Sequence, residues 1–230
     1  MEAIELLREA YNSLDFSLDF ISVNNGLFNV KNTKFARVGT FVIIDENEYI
    51  ITALDNDLKQ FQINDNTYNQ TPTNIALKAP YFAHGTAQMQ NNEWANAQFD
   101  EQKFPSIYIR EVIREQEFTE QSGNVLERES AITIYFLDSV NFAEWSTQDH
   151  YDLIIPELRY IKNAYKEQII KHKKTGKIDS FDNVVRVNFG IYTDTRGNTE
   201  AMFNDRMSAI EIGFTLPIYI DFKTNCNTKN

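Results

Sequence analysis

Apolar residues recur along this chain with two different periods, and the switches between them lay out its elements. At the start, Ile4, Leu7, Ala10, Tyr11 and Leu14 fall at three- and four-residue spacing, which predicts an amphipathic helix of about 12 residues. Short β-rich runs follow, GLFNV, TFVIID, EYIITAL and KQFQI, separated by polar joints such as DENE and DND. That rhythm predicts a small meander of hairpins over residues 22–64. The next stretch, NDNTYNQTPTN through Asn92, holds no sustained period and reads as a loop or linker.

Four longer alternating runs come after it. SIYIREVI sets Ile107, Ile109 and Ile113 against Tyr108, Arg110 and Val112, and AITIYFL repeats the arrangement with Ile132, Ile134 and Phe136. VVRVNFGIY sets Val185, Val187, Phe189 and Ile191 against Arg186, Asn188 and Gly190. AIEIGFTLPIYIDF is the longest, with Ile210, Ile212, Phe214, Leu216, Ile218, Ile220 and Phe222 on one face. Pro217 has no N–H for a ladder, so it marks an edge, a bulge or a point of departure. Between the second and third runs, Tyr151, Ile154, Ile155, Leu158, Ile161, Tyr165 and Ile169 form a helical stripe. Ser146 with Asp149 resembles a capping box that starts this helix near Thr147, while Pro156 either kinks it or ends a short first turn at Ile155. Cations in KHKKTGK and the glycine Gly176 mark its end.

This order predicts an α+β domain, an antiparallel or mixed four-stranded sheet with two packed helices, carrying a small β-rich insertion. The expected divisions are an N-terminal helix at 1–21, a β module at 22–64, a loop or linker at 65–100, a main α+β domain at 101–223 and a polar tail at 224–230.

Charge and composition narrow the function. With 33 acidic against 22 basic residues the 230-residue chain carries a formal charge of -11, which removes the phosphate attraction behind non-specific DNA binding. Its opening residues mix charges among apolar ones and no run suits a membrane span, so a soluble protein without a signal peptide is expected. The single cysteine, Cys226, excludes an intramolecular disulfide and a cysteine-built metal site, which fits a reducing compartment.

No G-x-x-x-x-G-K-[ST], G-x-G-x-x-G, G-x-S-x-G or H-E-x-x-H string occurs. His84, His150 and His172 stand far apart and read as surface or capping residues. The glutamates and arginines of REVIREQEFTEQSGNVLERES read as the solvated face of a strand pair and its turn, although paired carboxylates could do acid–base work in a cleft. Asp194, Asn198, Glu200 and Asp205 miss the EF-hand spacing, so a hairpin turning at Arg196, Gly197 and Asn198 is expected there. The aromatics Trp94, Phe142 and Trp145 sit in connections, where packing onto their own core competes with a role as interface anchors. With Pro217 and Tyr219 of the last strand, they are the candidate subunit-interface residues.

The segments KFPSIYIREVIREQEF, ERESAITIYFLDSVNFAEWSTQDHYDLIIPELRYIKNAYKEQI and FNDRMSAIEIGFTLPIYIDF together resemble virion proteins of tailed phages and prophages of Bacteroidota, including crAss-like phages. The predicted order of elements is similar to that of phage tail-terminator and neck proteins, with the β module as a departure from the simple pattern. The resemblance implies a hexameric or dodecameric ring of identical subunits between portal and tail, touching portal, neck or tail proteins, with DNA sliding through its lumen. It implies no catalytic residue, cofactor or metal, no membrane, and a location in the virion after assembly in the host cytoplasm. A virion-associated adhesin or other binding module, and a small cytosolic enzyme, are the alternative readings.

Overall fold

The computed structural model describes residues 3–86, 104–111, 113–119, 125–139, 146–189, 191–193, 199–201 and 207–219. The molecule is mostly β, with 48% strand and 21% helix, two six-stranded sheets and one long helix. This corrects the expected four-stranded α+β sheet with two helices. The physical reason lies in strands too short or too polar to show a period, which enlarge both sheets.

Helix α1 (Ala3–Asn12) buries Ala3, Leu6, Leu7 and Ala10, as its stripe requires. The chain then builds the first sheet from β1 (Phe20–Asn24), β2 (Leu27–Val30), β3 (Phe41–Ile44), β4 (Asn47–Asp55), β5 (Gln60–Ile63) and β6 (Ile75–Leu77), in the order β1-β2-β5-β4-β3-β6. Asn25 and Gly26 turn β1 into β2 with φ of 50° and 74°, the left-handed pair that a two-residue hairpin needs. A side chain at position 26 would also strike the Asp65 carbonyl. The sheet curls into a half-barrel. Its ends are joined through the chain before β1, where the Leu18 N–H donates to the Ile75 carbonyl and the Leu77 N–H to the Phe16 carbonyl, both at 2.9 Å. Phe28, Val42, Ile51, Phe61 and Ile63 fill its interior, with the Phe28 and Phe61 rings stacked 5.3 Å apart. The β module is thus a sheet with its own core, and it extends through β6 into the stretch expected to be a loop.

The second sheet comprises β7 (Tyr81–Gly85), β8 (Ser106–Arg110), β9 (Arg114–Thr119), β10 (Val125–Ser139), β11 (Asp182–Phe189) and β14 (Met207–Tyr219), with a small hairpin of β12 (Ile191–Thr193) and β13 (Thr199–Ala201) between β11 and β14. Its order is β11-β14-β10-β8-β7, and β9 pairs with the first half of β10. Strand β7 runs parallel to β8, and every other pairing in this sheet is antiparallel. At the centre β10 and β14 are matched without a break from Glu127 opposite Tyr219 to Ser139 opposite Met207.

The expected alternation of β14 holds where it is described, with Ile210, Ile212, Phe214, Leu216 and Ile218 buried on the helix-covered face. Each such side chain contributes about 1.5–3 kcal/mol of burial. Against this face lie α1 and the main helix. The main helix opens with a single turn at Thr147–Asp149, widens to a π turn at His150–Ile154 and continues as α2 (Ile155–Lys171). The predicted capping box is formed by Ser146 and Asp149, and Pro156 falls in the first turn of α2, where its missing N–H costs nothing. The sheet's other face carries a smaller cluster around Tyr108, Tyr135, Leu137, Phe189 and Met207.

Strand β11 departs from its predicted alternation. Arg186 lies opposite Ala209 but Phe189 opposite Met207, so three steps on β11 match two on β14. The extra residue flips the faces. Val185 therefore packs towards the helices while Phe189 joins the opposite cluster, although both are odd-numbered.

Candidate functional site

The two sheets meet at the end of the central strand pair, beneath the π turn. Asp138, near the last position of β10, and Ser208, opposite it on β14, are 1% and 0% exposed. Polar groups so deep require partners. Arg37, from the loop joining β2 to β3, supplies one by donating from Nη2 to Asp138 Oδ1 at 2.7 Å, and the Ser139 N–H donates to the same oxygen at 2.8 Å. Glu157, in the first turn of α2, places Oε2 3.7 Å from Arg37 Nε, too far for a hydrogen bond. One guanidinium thus stands between two carboxyls from different elements. Burial pushes the Asp138 carboxyl up to about 6 although Arg37 pulls it down. Burial pushes Glu157 up to about 9, with Arg37 opposing the rise and the Asp138 charge adding to it.

His150 completes the cluster from the π turn. It is 3% exposed, not at the surface as expected, and its Nδ1 lies 2.8 Å from Ser208 Oγ. The Ser208 hydroxyl donates to the Val187 carbonyl at 3.2 Å, so it accepts from the imidazole N–H. Serine, histidine and aspartate are the residue types of a hydrolytic triad, but here His150 faces Ser208 through Nδ1 and Asp138 is bonded to Arg37. Two buried pairs, Arg37 with Asp138 and His150 with Ser208, thus lie side by side where β10 and β14 face each other. Beside it a cleft of about 330 Å³ opens between loops of the first sheet and the main helix, walled by Thr33, Lys34, Lys59, Asp152, Glu157 and Tyr160 among others.

The other histidines also have partners. His84, on β7, takes a hydrogen bond from Arg8 on Nε2 at 2.7 Å and holds Glu111 through Nδ1, and His172 meets Glu9 at 2.9 Å. Among the described residues no group of three or more His, Cys, Asp and Glu could hold a metal ion, and no helix is long and apolar enough to cross a membrane.

Of the predicted interface residues, Trp94, Phe142 and Trp145 lie outside the described residues. Pro217 is buried and covered by its own chain: its carbonyl accepts from the Gly176 N–H at 2.8 Å, and the Tyr219 N–H donates to the Lys174 carbonyl at 3.0 Å. Tyr219 is 51% exposed. The glutamates of β9 and β10 form the expected solvated face, with every residue of β9 exposed and Arg128 bonded to Glu117 at 2.7 Å. The residues that sequence reasoning missed are Arg37, Asp138, Glu157 and Ser208. The only signal was Asp138 closing an otherwise apolar run. No family model matches the chain, and no curated protein does.

Proposed function

We propose that this chain is a structural virion protein of a tailed bacteriophage, repeated as a homomeric ring at the head–tail junction or in the tail, around the DNA channel. The observation that carries the reading is the unlike pair of terminal strands in the second sheet, β11 at one side and β7 at the other. A surface that joins one kind of edge to another is heterologous, and heterologous contacts between identical subunits build a ring where the rotation closes and an open filament where it does not. Among the described strands β7 and β11 each pair on one side only, and a neighbouring copy would cover such an edge.

The hairpins support the same reading. The β9–β10 hairpin lies at the end of the central pair where Glu127 faces Tyr219, and β12–β13 is inserted at the end where Ser139 faces Met207. Strand β9 adds exposed charge but no buried side chain, so its contribution is to a surface rather than to a core. A formal charge of -11 per subunit favours a channel in which DNA slides rather than sticks. The sequence resemblance, over roughly residues 80–222, is to virion proteins of tailed phages and prophages of Bacteroidota.

The test is native mass spectrometry of the neck and tail complex isolated from the particle. Six or twelve copies of the chain in one assembly are expected, and a single copy per assembly overturns the reading.

A further inference from the structure

We infer that Arg37, Asp138 and Glu157 form a proton-operated latch that holds the 33–40 loop of the curled sheet against the second sheet and the main helix. The inference stands on this chain's own geometry and does not depend on the ring reading.

Three elements converge on one cation. Arg37 comes from the β2–β3 loop, Asp138 from the end of β10 and Glu157 from the start of α2. The loop is otherwise anchored by packing: Phe35 touches both large cores, and the Thr33 hydroxyl donates to Asn56 within its own sheet at 2.7 Å. The ionic contact is therefore what ties the loop by polar bonds to the second sheet and helix among the hydrogen bonds described.

One guanidinium neutralises one carboxylate, so the second carboxyl must carry a proton or leave. Asp138 has the stronger claim on the charge, with contacts of 2.7 Å to Arg37 and 2.8 Å to the Ser139 N–H. Glu157, 3.7 Å from Nε, holds the proton. It also lines the cleft, which gives that proton a path to solvent. The charged groups around the latch come from each packed element: Lys34 and Lys59 from the curled sheet and Asp152 and Glu157 from the helix wall the cleft, while His150 approaches through Ser208 beside Asp138.

The sign follows from the proton count. Glu157 holds its proton up to about 9 when the latch is closed and releases it near the ordinary carboxylate range when the loop is open. Closing takes up a proton, so the contribution is fully present in acid and is lost as pH rises through that folded value. Asp138 adds the same sign only up to about 6. Between these two values one proton is at stake, and the opening constant rises by up to about tenfold per pH unit.

Hydrogen exchange on the full chain, read by mass spectrometry from pH 6 to 9 and corrected for intrinsic exchange rates, tests this. Amides of the 33–40 loop are expected to open more as pH rises, while those of β14 keep a shallower dependence. Glu157→Gln copies the protonated acid, so its loop is expected to stay closed at pH 9 as the native loop does at pH 6. A pH-independent loop in the native chain overturns the latch whatever the variant does, and a slope that survives Glu157→Gln overturns the assignment of the proton.

Discussion

Tyr165 donates its buried hydroxyl to the Leu7 carbonyl, 2.7 Å away and 158 residues earlier in the chain. This bond pins α1 to α2 over the central sheet, and the Tyr165 ring meets Phe136 edge-on at 6.1 Å. The first helix is thereby fixed to the second sheet although the whole curled sheet intervenes in sequence.

Replacing Tyr165 by Phe keeps the ring and removes the bond. The expected loss is about 1 kcal/mol, since the Leu7 carbonyl keeps its place in the helix ladder. Thermal denaturation should show a midpoint lower by roughly 2–4 °C, as expected for a chain of this size. An unchanged midpoint would mean that the hydroxyl adds nothing to the helix pair.

Arg37→Ala strips Asp138 of its cation in a site that is 1% exposed. Breaking such a pair costs about 3–5 kcal/mol, reduced here because Asp138 can take up a proton. Arg37 lowers the values of both Asp138 and Glu157, so its removal raises both further. The deficit relative to the native chain should thus be greater at pH 8 than at pH 5, measured by urea unfolding at each pH. Equal deficits would show that the arginine acts by packing rather than by charge.

Gly176 lies where a side chain would meet Pro217, the added Cβ falling 2.9 Å from the proline Cβ and 3.3 Å from the Tyr219 ring. Gly176→Ala should cost about 1–3 kcal/mol by overpacking. Exchange of the Tyr219 amide, bonded to Lys174, should quicken as the segment at 174–176 is pushed off β14. If stability and exchange stay as they were, the cover accommodates a methyl group by shifting.

Much of this fold was legible where one face is buried over a long run. The α1 stripe, the Ser146 and Asp149 cap and the alternation of β14 all came through, because burial on one side imposes a strict period. Strands β6 and β7 did not, being three and five residues long in a polar setting and stabilised by pairing partners far away in sequence. The bulge on β11 was also hidden, since the sequence shows alternation but not an extra residue that flips it. The latch was least visible of all. Arg37 and Asp138 are 101 residues apart, and each is an ordinary charged residue until the two sheets meet.

The proposed ring is tested by imaging purified particles by electron microscopy and counting the copies. Acidic subunits repel one another at low salt, so assembly on the portal or tail template is the state to observe. Six or twelve copies around the portal–tail axis are predicted. A single copy per virion, or a position on the capsid exterior away from the portal vertex, would contradict it.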